Sequence, residues 1–190
     1  TVEQLGALFA DGVWPNWHHR TARDVRRSVI HDRLAAAGAH FGASSGWEYA
    51  EWFAGPDAHQ EIIPGFGRDA SFQLQATEHG TVRDAVGMLD MSLMAKFLVQ
   101  GRDAAKVLNL VSANDVAVAV GRIVYTQWLN KAGGIEADLT VTRLAEERFL
   151  VVVTDLIHRR IAPWIERNAP AGAHVTVTVV TSGTTLMTVQ

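Results

Sequence analysis

The sequence predicts an α+β fold, a mostly antiparallel sheet with helices packed on one face. Three features of its 190 residues carry this prediction. Gly121–Arg143 reads as two strands joined by a glycine-bearing turn. Phe149–Val153 is apolar throughout, as expected for a strand at the centre of a sheet. Asp103–Val111 and Asp155–Asn168 carry apolar residues at the spacing of one helix face, so each is predicted to pack a helix against the sheet.

The N-terminal third carries weaker signals of secondary structure. A helix is predicted over 29–39, with Gly38 as its stop. Gly42–Phe53 is interpreted as loop and short strand, and Pro56–Asp69 as a surface connection. The turn-like stretch Trp14–His19 contains adjacent histidines, yet no histidine in the chain has the spacing of a metal site. No bound metal is therefore predicted.

The middle of the chain is more regular. A helix is predicted over Thr81–Leu89, with Thr77 as its N-cap and its apolar residues facing inward. Those inward residues are Val82, Ala85, Val86 and Leu89. Ala95–Val99 is predicted as a strand that ends at Gly101.

The hairpin has one apolar and one polar face in its second strand. The alternation places Ile135, Ala137, Leu139 and Val141 on one side and Glu136, Asp138, Thr140 and Thr142 on the other. The polar side fits the solvent face of a half-buried sheet, and it also fits the floor of a ligand site. A last hairpin is predicted from His174–Thr181 and Thr184–Gln190, around Ser182 and Gly183.

Composition excludes several classes of function. With 17 basic and 20 acidic residues the net charge is −3, which gives no support for binding nucleic acid or an acidic membrane surface. The absence of cysteine excludes disulfides and thiolate chemistry, and it fits a cytoplasmic protein. No apolar run approaches the roughly 18 residues of a membrane helix. No GxGxxG motif is present, so no dinucleotide fold for FAD is predicted in this chain.

Several separated motifs resemble the folate-binding aminomethyltransferase family, which includes the glycine cleavage T protein. The hairpin Gly121–Arg143 is similar to the family's signature, and Glu78–Phe97 and Ala113–Val116 are similar to further motifs in the same order. His31–Phe53 resembles the lead-in to this domain, and Gly46-Trp47-Glu48 is its most specific triplet. Two shorter motifs favour the dimethylglycine and sarcosine dehydrogenase branch: Arg26-Arg27-Ser28 and Trp52-Phe53-Ala54.

The resemblance implies a domain organisation. Residues 1–69 resemble the segment between the flavin and folate domains of those dehydrogenases. Residues 70–190 resemble the N-terminal part of the folate-binding domain, which in the family carries further folate-binding residues in a later segment. We therefore expect the chain to be a piece of a longer protein or a shortened relative, and to be inactive by itself.

The resemblance also implies a function in one-carbon metabolism. The family forms 5,10-methylenetetrahydrofolate from a methylamine-derived one-carbon unit, so tetrahydrofolate is the expected cofactor. FAD is expected only in a domain absent from this chain. The expected partners are folate and a methylamine-derived small molecule, with a flavin-domain partner or an oligomer left open. The alternative is a non-catalytic module that binds folate or another pterin, or that serves as a structural or interaction domain.

The site residues follow from the motif Gly133–Leu139. Asp138 occupies the position of the family's functional aspartate, so the resemblance implies that it is catalytic and binds the cofactor. Tyr125, Met94 and Thr140 match cofactor-binding positions. Judged from the pattern alone, Met94 also fits a plain core residue and Tyr125 a packed aromatic on a strand. The chain departs from the T protein at three positions, with Thr142 in place of tyrosine, Leu93 in place of histidine and Ala95 in place of glycine.

Overall fold

The computed structural model describes residues 2, 3, 5, 6, 18–55 and 65–190. These residues divide into two units, the first formed by Thr1–Leu93 with Thr185–Gln190 and the second by Met94–Thr184. The predicted domain boundary near residue 70 stays a prediction. Trp14, Trp17 and most of the connection that begins at Pro56 lie outside the described residues.

From His31 onward, the helices are separated by groups of two or three strands. The helices are α1 His31–Ala36, α2 Phe72–Asp84, α3 Ala104–Val111 and α4 His158–Asn168, with short 3₁₀ turns at Asp155–Ile157 and Thr181–Gly183. The strands are β1 Ala39–Ser44, β2 Trp47–Phe53, β3 Met88–Asp90, β4 Ala95–Gln100, β5 Ile123–Leu129, β6 Ile135–Ala145, β7 Arg148–Val153, β8 Thr176–Val179 and β9 Met187–Val189. In the described parts of the chain, no helix has the length and apolar character needed to span a membrane.

The second unit is built on a five-stranded sheet. Its strand order is β5-β6-β7-β4-β8, and every neighbouring pair is antiparallel. Residues of α3 and α4 pack on one face, where Leu108 and Ile161 join Phe97, Trp128 and Phe149 in a single buried cluster. The predicted α+β class, with helices packed on one face of an antiparallel sheet, is confirmed.

Elements with a strong periodic pattern match their predictions. The predicted inward residues of α3 are all buried: Ala104, Val107, Leu108 and Val111. The apolar strand β7 lies between β6 and β4, as expected for a central position. Gly38 follows α1 with φ +83°, a left-handed conformation in which helices commonly stop.

The first unit contains two separate pairs of strands. β1 and β2 form an antiparallel hairpin, so Gly42–Phe53 is more ordered than the loop and short strand that were predicted. The strands β3 and β9 form the second pair. Glu78 of α2 accepts a hydrogen bond from the Phe53 backbone N–H at 2.7 Å, which joins this helix to the end of β2.

The prediction for the helix at Thr81–Leu89 was wrong in its bounds and its facing. The helix begins at Phe72 after the N-cap Ser71 and ends at Asp84, and Thr77 lies inside it. The four residues predicted to face inward are exposed: Val82, Ala85, Val86 and Leu89. Leu89 is extended because it pairs with Thr188 across β3 and β9.

The prediction of a C-terminal hairpin was also wrong. β8 pairs with β4, whereas β9 pairs with β3. Both partners lie far back along the chain. Local sequence pattern carries no information on such pairings, because it records spacing between neighbours only.

Candidate functional site

The hairpin β5–β6 sets the register of the candidate site. Tyr125 lies opposite Thr140, and Gln127 lies opposite Asp138. A turn of about five residues between the two strands predicts that Tyr125 lies opposite residues 138–140, and this register confirms it. The connecting turn is closed by the Asn130 side chain, which accepts the Gly134 backbone N–H at 2.9 Å. Gly133 takes φ +81°, a conformation that favours glycine.

The two faces of the hairpin differ in character. On one face Thr126, Trp128 and Leu139 are buried under the helices. On the other face Tyr125 and Asp138 are exposed, and Thr140 is half-buried. Strand alternation thus separates the core of the unit from a polar surface that carries three of the four predicted site residues.

Both carboxylate oxygens of Asp138 are held from the neighbouring strand. The Tyr125 hydroxyl donates to Oδ2 at 2.9 Å, and the Gln127 amide donates to Oδ1 at 3.0 Å. The hydrogen bond to Asp138 raises the pKa of Tyr125, because ionising the phenol would place a second negative charge beside the carboxylate. The result is a carboxylate fixed in orientation on an accessible surface.

The segment that precedes β5 supports the tyrosine strand. The Asn114 backbone N–H donates to Thr126 Oγ1 at 3.0 Å, and the Asn114 side-chain amide donates to the Tyr125 carbonyl at 2.8 Å. Asp115 accepts hydrogen bonds from the Ala117 backbone N–H and from Asn109, and these bonds lower the pKa of its carboxyl. The segment is therefore folded against the outer edge of the hairpin.

Met94 lies apart from the other predicted site residues. It comes just before β4 and is half-buried, and its carbonyl accepts the Lys96 ammonium at 2.9 Å. β4 is separated from β6 by β7, so these two strands lie roughly 10 Å apart. The structure brings Tyr125, Asp138 and Thr140 together and places Met94 just before β4, two strands away from Asp138 in β6.

Two residues at the site were missed from the sequence. Gln127 holds the second oxygen of Asp138, and Asn114 holds the Tyr125 carbonyl. A signal for Gln127 was available, because it lies two residues from Tyr125 and so shares its strand face. Asn114 lies in the family motif Ala113–Val116, but the pattern does not indicate its contact, because that contact depends on how the segment before the strand folds back.

The prediction for the start of β6 was wrong. Ile135 was expected on the apolar face, and it is 68% exposed. Glu136 was expected beside Asp138, and instead it accepts a hydrogen bond from Asn130 at 2.8 Å and pairs with Arg160 of α4. The cause is an irregular register between Trp128 and Leu129, which breaks the strict alternation at this end of the hairpin.

A search of the described segments finds no group of three or more metal-binding side chains.

The architecture defines this chain as an α+β domain of the aminomethyltransferase type. It superposes on the crystal structure of the glycine cleavage system aminomethyltransferase T from Bartonella henselae with a TM-score of 0.67 and 27% sequence identity. The match covers 88% of this chain and 41% of that one. The sequence model of the GCVT N-terminal domain family matches residues 30–190, so the chain belongs to that family.

Curated relatives agree with this assignment. The chain is 40% identical to 4-methylaminobutanoate oxidase (formaldehyde-forming) of Paenarthrobacter nicotinovorans, over 89% of its own length and 20% of the relative's. It is 30% identical to the mitochondrial pyruvate dehydrogenase phosphatase regulatory subunit of Mus musculus, over 95% of its length and 21% of the relative's. It is 31% identical to an aminomethyltransferase of Frankia alni, over 80% of its own length and 38% of the relative's. The chain thus spans about a fifth to two fifths of the length of these relatives.

Proposed function

We propose that this chain is the tetrahydrofolate-binding portion of a one-carbon-transfer enzyme that forms 5,10-methylenetetrahydrofolate from a methylamine-derived one-carbon unit. The observation that carries the proposal is the Asp138 carboxylate, held at both oxygens on the exposed face of the hairpin. Family membership and a relative named as a formaldehyde-forming oxidase support a one-carbon unit of this kind.

The residues present fit a reduced pterin. Tetrahydrofolate supplies the nitrogen that accepts the one-carbon unit. Asp138 offers an acceptor for pterin N–H groups, and its negative charge stabilises positive charge that develops near the reacting carbon. Tyr125 is 58% exposed and offers a flat apolar surface beside that carboxylate. Thr140 adds a hydroxyl opposite Tyr125, and Met94 is proposed as an apolar wall residue.

The orientation of Asp138 matters to this role. A carboxylate that is already held by Tyr125 and Gln127 needs little reorganisation when charge develops beside it. Gln127 is included in the proposed site for this reason. Its amide does not have to contact the ligand, because its contribution is to keep the carboxylate in place.

The test is the Asp138→Ala variant in the full-length open reading frame that encodes these residues. The assay supplies tetrahydrofolate with sarcosine, dimethylglycine or 4-methylaminobutanoate and measures both methylenetetrahydrofolate and free formaldehyde. We expect methylenetetrahydrofolate formation to fall by about 10²-fold, the usual scale for loss of one preorganised electrostatic partner. Free formaldehyde is expected to rise, because the one-carbon unit is still produced and is no longer captured.

Glu136→Ala is the matched control. It removes a carboxylate two residues away in the same strand, one that contacts Asn130 and Arg160 and not the Tyr125 hydroxyl. We expect this variant to capture folate within about threefold of the unmodified protein, because Glu136 contacts neither Asp138 nor Tyr125 and its loss acts on stability alone. Equal folate capture by Asp138→Ala and the unmodified protein would remove Asp138 from the reaction.

A non-catalytic binding module is the second candidate. It is favoured by the relative of 30% identity whose name describes a regulatory subunit. The same experiment separates the two functions. A full-length protein that binds tetrahydrofolate and forms no methylenetetrahydrofolate with any of the three amines would have the binding role alone.

A further inference from the structure

A buried lysine lies in the sheet of the second unit, on the face opposite the helices. Lys96 of β4 is 1% exposed. Its neighbours in the strand, Ala95 and Phe97, belong to the buried cluster that includes residues of α3 and α4. Because successive side chains of a strand point to opposite faces, Lys96 points to the other face of the sheet. Lysine is rarely buried to this degree, since removing an ammonium from water is costly, so we expect this ammonium to have a role that an apolar side chain could not fill.

The strand register places Lys96 on the same face as the proposed folate surface. Lys96 lies opposite Val152 of β7. Val152 lies opposite Thr140 of β6, and Thr140 lies opposite Tyr125 of β5. Side chains that lie directly opposite each other in antiparallel strands project from one face of the sheet. These four residues therefore form one row, which runs from the proposed folate surface to Lys96.

The Lys96 ammonium holds the chain just before β4. It donates a hydrogen bond to the Met94 carbonyl at 2.9 Å. The backbone of Lys96 is itself fixed, because its N–H donates to Thr181 Oγ1 at 3.0 Å and its carbonyl accepts the Val180 N–H at 2.9 Å. The pairing of β4 with β7 begins at Ala95, so this ladder does not include Met94. The ammonium therefore ties the position of Met94 to a fixed point of the sheet.

The residue held in this way is the proposed apolar wall of the folate site. Met94 is half-buried, so it is accessible to a ligand. Tetrahydrofolate is longer than the roughly 10 Å that separates β4 from β6, so one molecule bound at Asp138 can reach the start of β4. A methionine side chain is flexible and adapts to many surfaces. Its value as a wall at a defined place therefore depends on where its backbone is held.

We propose that Lys96 is a positioning residue for tetrahydrofolate: its ammonium holds the Met94 backbone, and the Met94 side chain contacts the ligand. This inference rests on the proposed folate role, and it adds to that role a residue from a different strand that acts through Met94. A lysine that served stability alone would leave the affinity for folate unchanged, so affinity is the property to measure.

The test is the dissociation constant of tetrahydrofolate for the full-length protein, measured by calorimetry under reducing conditions. Lys96→Met removes the ammonium and keeps an unbranched side chain. We expect the dissociation constant to rise about tenfold, the scale of one hydrogen bond from a charged group. Lys106→Met is the matched control, because Lys106 is exposed in α3 and its removal changes the net charge equally. This control is expected to leave the constant unchanged, since α3 packs on the opposite face of the sheet.

A double-mutant cycle shows whether Lys96 acts through Met94. Met94→Ala is also expected to raise the dissociation constant, because it removes the side chain that contacts the ligand. The double variant is expected to bind like the weaker of the two single variants, since residues that act through one contact have non-additive effects. Factors that multiply would show that Lys96 acts independently of Met94 and would overturn the proposal. If Lys96→Met fails to fold by circular dichroism, Lys96→Gln takes its place with the same expected direction.

The outcomes separate this inference from the proposed function. A dissociation constant in Lys96→Met equal to that of the unmodified protein or of Lys106→Met would overturn the inference and leave the Asp138 test of folate capture as it stands. Weakened binding in Lys96→Met, in a protein that forms no methylenetetrahydrofolate, would support the positioning role and remove the transfer reaction. A full-length protein that binds no tetrahydrofolate would overturn both.

Discussion

At the scale of single residues, Asp138 differs from the other acidic residues of its hairpin in how it is held. Both of its oxygens accept hydrogen bonds from the neighbouring strand, whereas Glu136 turns to Asn130 and Arg160. Asp138 is exposed, so these bonds add little to stability. Their effect is on orientation, which is the property that a ligand-binding carboxylate requires.

The titration of Tyr125 tests this arrangement directly. The pKa of Tyr125 is raised by Asp138, so it lies above the ordinary value of about 10. The bond therefore contributes stability below about pH 10, and that contribution is lost as the pH rises through the folded-state pKa. We predict that Asp138→Asn moves the Tyr125 pKa back toward its ordinary value.

The chain has two tyrosines, which makes the measurement simple. In a Tyr49→Phe background Tyr125 is the sole tyrosine, and its ionisation is followed by tyrosinate absorbance. Glu136→Gln in the same background is the control and is expected to leave the titration unchanged, because Glu136 contacts neither the hydroxyl nor Gln127. An unchanged Tyr125 pKa in Asp138→Asn would show that the hydrogen bond is absent in solution.

The sequence predicted part of this site for a definite reason. A five-residue turn and strict alternation place Tyr125 opposite Thr140 and beside Asp138, and both rules hold in the middle of the hairpin. They fail near the turn, where the irregular register exposes Ile135. Side-chain contacts such as the hydrogen bond from Gln127 to Asp138 could not be predicted in this way, because they depend on rotamers as well as on the strand face that each residue occupies.

At the scale of elements, the connection from β4 to α3 depends on one glycine. Gly101 has φ +130°, and a Cβ added there would lie 2.1 Å from the His174 carbonyl oxygen. We predict that Gly101→Ala lowers the free energy of unfolding by more than about 3 kcal/mol, since backbone atoms must move to relieve this clash. Denaturant unfolding followed by circular dichroism measures the change.

Gly133→Ala is the control for backbone conformation without a clash. Gly133 has φ +81°, and a Cβ there meets no atom within 4 Å. This variant is expected to lower the free energy of unfolding by about 1–2 kcal/mol, the usual penalty for a residue with a Cβ in the left-handed region. Equal losses in the two variants would mean that close approach to His174 does not constrain the connection.

In the first unit, Glu48 of β2 joins the strand to the segment before α1. Its carboxylate accepts Arg23 Nε at 2.8 Å and the Asp24 backbone N–H at 2.8 Å, and Arg23 also donates to the Phe41 carbonyl. Asp24 takes φ +65°, a sparsely populated conformation for a residue other than glycine, and the Glu48 carboxylate holds it there through the Asp24 backbone N–H. The hydrogen bond from Arg23 is the main reason that the pKa of Glu48 is lowered.

This lowered pKa gives a pH dependence with a definite sign. The stabilisation of the fold by ionised Glu48 is fully present above the ordinary glutamate pKa of about 4.3. It is lost as the pH falls through the lower folded-state pKa. We predict that Glu48→Gln loses about 1.5–3 kcal/mol of unfolding free energy near neutral pH, the scale of hydrogen bonds to a charged group. The difference between the two proteins is expected to shrink below about pH 4. A difference that stays constant down to pH values of about 2 would contradict this account.

The elements also show where pattern is sufficient and where it is not. The helix α3 and the strand β7 could be predicted because the apolar residues that they bury form a clear pattern in the sequence. In α3 these residues lie on one helix face, and in β7 they form a continuous run. The helix α2 has no buried residue, so it carries no apolar stripe from which its bounds could be read. The partners of β8 and β9 lie in β4 and β3, and such distant pairing leaves no trace in local spacing.

At the scale of the whole molecule, the proposed folate surface belongs to the sheet of the second unit. Composition alone, with a net charge of −3 and no cysteine, excludes classes of function and does not point to this surface. The family motifs direct attention to it, because they include the hairpin Gly121–Arg143.

The last prediction concerns tetrahydrofolate and the 190-residue chain by itself. The chain spans 41% of the B. henselae aminomethyltransferase, and the exposed hairpin face offers Asp138, Tyr125 and Thr140 on one side of a ligand. Affinity depends on enclosure and on several converging polar groups, and one wall supplies little of either. We therefore predict a dissociation constant above about 100 μM, which corresponds to a binding free energy smaller in magnitude than roughly 5.5 kcal/mol.

Calorimetry under reducing conditions measures this constant, with Asp138→Ala as the comparison. Any residual binding is expected to disappear in that variant, because Asp138 carries the one charge among Asp138, Tyr125 and Thr140, the residues proposed to contact the pterin from this face. Low-micromolar binding that depends on Asp138 would show that residues 1–190 enclose the pterin without further chain. Low-micromolar binding that is unaffected by Asp138→Ala would place the folate elsewhere on the molecule and would separate the folate-binding property of this family member from its hairpin.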